Sequence, residues 1–73
     1  MDKMIREEII RTFNLPKVVG KQLEKSYLLQ KVSYVCDCTQ KDVNRVYSQM
    51  KKEGRVYSVN GLAGWVGLHD EEV

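Results

Sequence analysis

The 73-residue sequence predicts a mainly α-helical domain closed by a small β-hairpin. Three observations carry that prediction. Apolar residues recur at helical spacing in successive segments as far as Met50. At Gly54 the pattern changes to a β-branched and aromatic run, Val56-Tyr57-Ser58-Val59. Asn60-Gly61 then stands between that run and Trp65-Val66-Gly67-Leu68, and this pair suits the positive φ angles of a hairpin turn. With 42% hydrophobic and 30% charged residues, the composition is ordinary for a globular chain. A chain of this length buries only about 60% of the surface its unfolded form exposes. Its core is therefore thin, with little room for an enclosed catalytic cleft.

The elements follow in order. Residues 3–13 form a first helix, because Met4, Ile5, Ile9, Ile10 and Phe13 fall on one stripe. Asn14-Leu15-Pro16 ends it, since the residue before a proline avoids helical angles. Pro16 can open a short second helix, with Val18, Val19 and Leu23 as its inner side. Gly20 weakens that segment. Ser26 is a cap for a helix over 27–36, with Leu28, Leu29, Val32, Val35 and Cys36 inward. Asp37-Cys38 makes a tight turn. Thr39 is the N-cap of the next helix, and Asp42 stands where a reciprocal capping box needs it. Val43, Val46, Tyr47 and Met50 mark one buried face, while Gln40, Lys41, Asn44, Arg45 and Ser48 mark the opposite one. Gly54 ends this helix in a left-handed conformation. The expectation is three or four helices plus a two-stranded wing, all within one domain over 1–68. Residues 69–73 form an acidic, frayed tail.

Charge and cysteines narrow the classes of function. Lys and Arg number 12 against 10 Asp and Glu, a net charge of +2. The acids Asp70, Glu71 and Glu72 are gathered at the end, so the body before them carries +5. A small basic body suits a polyanion, although charged runs are usually solvated faces. Cys36 and Cys38 are too close in sequence for an unstrained disulfide. A metal site would need more ligands than these two and His69. They read as structural thiols, and the reduced state fits the cytoplasm. No run is long enough to span a bilayer, and the start lacks a signal-peptide stretch. No Ser or Cys has a base placed to suggest a triad, and no glycine-rich phosphate loop precedes a helix. The expectation is a binding protein rather than an enzyme. It needs no cofactor and no metal, takes no small-molecule substrate and does not enter a membrane.

The order of elements resembles a winged helix-turn-helix domain. The resemblance covers Leu28–Leu68, over half of the chain. Its core is Thr39-Gln40-Lys41-Asp42-Val43-Asn44-Arg45-Val46, then Lys51-Lys52-Glu53-Gly54-Arg55-Val56, then the strand with Trp65. That family implies a capped helix over 39–53 in the DNA major groove and a wing over 55–68 along the backbone. The stretch Lys41–Val46 with Lys52, Gly54 and Trp65 is also similar to Zα domains, which bind left-handed DNA. Here Ser48 stands where their helix tyrosine falls, and Ala63-Gly64 replaces their proline pair. Leu29–Val32 with Thr39–Val43 resembles the opening of HU-type architectural proteins, but Gly54 stops the second helix too early for that fold.

The physical fit to a duplex stands apart from the resemblance. Asn44 can pair with an adenine edge and Arg45 with a guanine edge. Gln40 and Lys41 occupy the first turn, where recognition helices usually meet bases. Ser48, Lys51, Lys52, Arg55 and Asn60 can reach phosphates. The alternative for each of these nine is a solvated polar residue, as fitting as contact for Lys51 and Lys52, while Asn44 and Arg45 point to contact. The sequence thus predicts a sequence-specific double-stranded DNA-binding protein, a small transcriptional or replication regulator of prokaryotic, plasmid or phage origin. The alternative is a winged-helix protein-interaction module, an adaptor or inhibitor of host machinery. Whether the chain forms a homodimer is open.

Overall fold

A computed structural model describes residues 1–69. Helices make up 54% of it. The order is α1 (Asp2–Phe13), β1 (Gln22–Glu24), α2 (Lys25–Cys36), α3 (Gln40–Lys52), β2 (Val56–Ser58) and β3 (Trp65–Leu68). The strands form one antiparallel sheet in the order β1-β3-β2. Three helices against a small antiparallel sheet are compatible with a winged-helix layout.

The helices meet where the apolar stripes placed them. Ile5, Ile9 and Phe13 of α1, Leu28 and Val32 of α2, and Val43 and Met50 of α3 are completely buried. Leu23, Val56, Val66 and Leu68 close this core from the sheet. Removing the Phe13 ring from such a site should cost about 3–5 kcal/mol. Thr12 is also fully buried, and its hydroxyl donates to the Glu8 carbonyl at 2.8 Å, which satisfies it without leaving the helix.

Two turns fix how α3 is held. Asp37 adopts the left-handed conformation, φ 54, where a short polar side chain is tolerated. The Cys38 N–H then donates to the Ser33 carbonyl at 3.0 Å, which closes the end of α2. Thr39 caps α3 as expected, its hydroxyl oxygen accepting from the Asp42 N–H at 3.1 Å. At the far end Gly54 has φ 79, and the Arg55 N–H returns to the Met50 carbonyl at 3.0 Å. This is the glycine-terminated closure that the sequence signalled.

The structure departs from expectation between Pro16 and Ser26. No helix starts at Pro16. The chain turns through Gly20 and Lys21, both at positive φ, and enters β1. Leu23 pairs with Val66 and is buried, whereas Val19 is 85% exposed. The sheet is therefore three-stranded, because the segment before α2 adds itself to the returning strand of the hairpin. The N-cap position of α2 is Glu24, not Ser26, and it makes no side-chain capping bond. Val35 and Met4, expected inward, lie on the outer flanks of their helices and are 49% and 56% exposed.

The outer face of the sheet has its own packing. Tyr57 lies across Gly67, and the Gln22 amide donates to the Tyr57 hydroxyl at 3.0 Å, so one side chain ties all three strands together. A Cβ at position 67 would run into the Tyr57 ring. The His69 ring lies tilted against Tyr57, 4.6 Å between centroids, and the His69 backbone N–H donates to the Arg55 carbonyl at 2.9 Å. His69, placed at the head of the tail by sequence, thus continues the pairing beyond Leu68. The rest of that expected tail lies outside the described residues. Among the described residues no helix is long and apolar enough to cross a membrane.

Candidate nucleic-acid interface

The candidate residues lie mainly on α3, and helical geometry divides them into two sides. Opposite the buried stripe of Val43, Val46, Tyr47 and Met50 stand Lys41, Ser48 and Lys52. Asn44, Ser48 and Lys51 follow at i, i+4 and i+7, which places them on one flank. This flank faces the hairpin, because the Lys51 ammonium donates to the Ser58 hydroxyl at 3.4 Å. Arg45, Gln49 and Glu53 form the other flank, which faces α1.

Ion pairs occupy the α1 flank. Arg45 donates two hydrogen bonds to the Asp2 carboxylate, at 2.9 and 3.1 Å, and comes within 3.8 Å of Asp42. Arg6 donates two to Glu53, at 2.7 and 3.0 Å. Gln49 adds a bond to the same Glu53 at 3.3 Å. The Arg45 guanidinium holds the Asp2 carboxyl below the usual carboxylate range. Arg6, with help from Gln49, does the same to Glu53. In return Asp2 raises the pKa of Arg45 and Glu53 that of Arg6. Two parallel N–H donors matched to one carboxylate make the strongest geometry available to such pairs.

The structure therefore separates residues that sequence had grouped. Lys41, Asn44, Ser48, Lys51 and Lys52 share the open side of α3, and all are exposed. Among the described residues no carboxylate lies within ion-pair distance of Lys41, Lys51 or Lys52. Gln40 is exposed in the first turn, beside the cap. Arg45 is exposed as well, but its guanidinium is paired with Asp2 on the α1 side. Arg55 is half-buried at the base of the hairpin, close enough to Glu53 for their charges to interact. Asn60 is exposed in the tip itself.

Beneath this surface the helix is anchored by Tyr47. Its ring is buried, with the Lys25 ammonium 4.9 Å from the ring centre. Its hydroxyl has no hydrogen-bond partner among the described residues. Burial pushes its pKa up. Both cysteines are free thiols, and burial raises the pKa of each. That favours the protonated, unreactive form. Among the described residues no group of three His, Cys, Asp or Glu could hold a metal ion.

Sequence reasoning missed the partners of Arg45 and Arg6. Asp2 and Arg6 counted only toward the net charge, and nothing in local spacing showed that α1 would cross α3 at Arg45. Compared with known family models, curated proteins and solved structures, the chain matches none.

Proposed function

We propose that this chain is a winged-helix protein that binds double-stranded DNA, with the open side of α3 in the major groove and the β2–β3 hairpin against the backbone. The supporting observation is the stripe of Lys41, Asn44, Ser48, Lys51 and Lys52. It is exposed, runs beside the hairpin and meets no carboxylate within ion-pair distance among the described residues. A capped helix is narrow enough for a major groove about 12 Å wide. On this reading Asn44 is the base-reading residue, because its amide can both donate to and accept from an adenine edge. Lys41, Lys51 and Lys52 hold phosphates, and Asn60 approaches the backbone from the hairpin tip. Arg45 serves chiefly to lock α1 to α3. The role that fits is a small regulator of transcription or replication.

The test is selection of duplexes from a random pool on the full chain, followed by a salt titration of the best sequence. Affinity should fall linearly with the logarithm of salt, with a slope set by the phosphates neutralised. Failure to retain any duplex at low salt would end this reading.

A further inference from the structure

A second surface lies away from the open side of α3. Val18, Val19, Leu23, Tyr27 and Trp65 line a groove of about 280 Å³, with Lys17 at its edge. None of these residues belongs to α3 or to the hairpin tip, so an occupant leaves both uncovered. Val19 is 85% exposed, and the positive φ angles of Gly20 and Lys21 shape the turn that presents it. Beyond the groove, Tyr27, Lys31 and Tyr34 follow along α2 at i, i+4 and i+7. Tyr34 is 87% exposed, which leaves a large aromatic side chain with almost no packing.

The chemistry of the rim identifies the occupant. The Lys17 ammonium sits 5.2 Å from the Tyr27 ring centre. Lys31 lies one turn further along, and its charge also acts on the Tyr27 hydroxyl. Glu24, across the ladder from Trp65, is the opposing acid, so the rim remains net positive. Pockets for small molecules usually measure about 300–1,000 Å³ and are more enclosed. This open, smaller groove suits one or two side chains of a peptide. A carboxylate can pair with the Lys17 cation where it stands, beside the Tyr27 ring. Trp and Tyr are also the residues that most often anchor protein contacts, and Trp65 and Tyr27 are both half-buried here, with part of each ring reachable.

We propose that this groove docks an acidic segment of a partner protein. One apolar side chain seats against Trp65 and Tyr27, and the flanking carboxylates pair with Lys17 and Lys31.

Trp65 is the only tryptophan of the chain, so its emission reports occupancy directly. The probe is an acidic hexapeptide with a central Leu-Phe pair, titrated into the full chain. A control peptide has that pair replaced by Ser-Ser. The Leu-Phe peptide should give a saturable change in emission that weakens with salt. Tyr27→Ala should weaken it about tenfold or more, as loss of an interface anchor does. Val19→Asp alters a residue with almost no packing, so it should block the groove without unfolding the chain, and circular dichroism checks this. Three results would each overturn the proposal: no emission change with the Leu-Phe peptide at millimolar concentration, an equal response to the control peptide, or a stronger response to a single-stranded oligothymidine. None of the three bears on whether α3 binds a duplex.

Discussion

The two flanks of α3 start from similar sequence and end in different states. Both are polar and exposed, and each carries a cation. On the α1 flank, Arg45 meets Asp2, and Glu53 meets Arg6, in two-pronged pairs. On the hairpin flank, Lys51 makes one long contact with Ser58, and Asn44 and Ser48 face solvent. A cation already matched to a carboxylate must give up that partner before it can meet a phosphate. A cation in water gives up only solvent and counterions. A surface charge is thus available for binding only if the fold has left it unmatched.

The contrast is tested most severely by charge reversal. Lys41→Glu with Lys52→Glu should weaken duplex binding about a hundredfold or more at moderate salt, and flatten the salt dependence. Anisotropy titrations at several salt concentrations would show it. An unchanged slope would mean that the open flank is not where phosphates bind.

Within the hairpin, the Tyr57 ring lies over Gly67. Gly67→Ala forces the ring to move and should cost about 1–3 kcal/mol of stability. Thermal melting measures this, and Tyr57→Ala in the same chain should relieve part of it. If the hairpin shapes only the open flank, the Arg45–Asp2 and Arg6–Glu53 pairs should persist in the Gly67→Ala variant.

Single substitutions compare the flanks directly. Asn44→Ala should cost about 1–3 kcal/mol of specific binding and relax the preference at one base pair. Arg45→Ala should change affinity by less than Asn44→Ala. Competition assays with single-base variants of the selected duplex would rank them. A larger loss for Arg45→Ala would show that Asp2 releases it on DNA, and the contrast between flanks would then describe only the free protein.

The smallest effect is on pH dependence. Asp2 and Glu53 have lower pKa values folded than unfolded. Their contribution to stability is therefore present above the ordinary carboxylate values, about 3.9 for Asp and 4.3 for Glu. It is lost as pH falls through the folded values. Asp2→Asn with Glu53→Gln should lower the melting temperature slightly at neutral pH and should flatten its decline in acid. Both pairs are solvent-exposed, so the effect should shrink with added salt.

What was legible in the chain depended on how far apart the interacting residues lie. α3 could be read almost completely, because Thr39, the Val43–Met50 stripe and Gly54 are local signals for its start, buried face and end. The hairpin could be read for the same reason, its two strands being joined by Asn60–Gly64. β1 could not. Its three residues have one buried side chain, Leu23, and its pairing partner is Val66, far along the sequence. Pro16 and Gly20 gave punctuation that fits a helix start as well as a turn. The candidate site divided in the same way. Position on an α3 face followed from helical period, so Lys41, Asn44 and Ser48 emerged correctly as exposed. The matching of Arg45 to Asp2 spans most of the chain and has no local sign.

The amino-acid order alone determined the three helices, the glycine that ends α3, the hairpin, and the set of polar side chains that α3 turns outward. These rest on interactions within a few residues, where backbone preference and apolar spacing decide. Tertiary structure alone decided that a third strand joins the sheet, that Tyr57 bridges it over Gly67, and which cations of α3 meet a carboxylate among the described residues. Those outcomes depend on which distant groups come within hydrogen-bond reach, and that is fixed only when the apolar stripes pack and set the helices side by side.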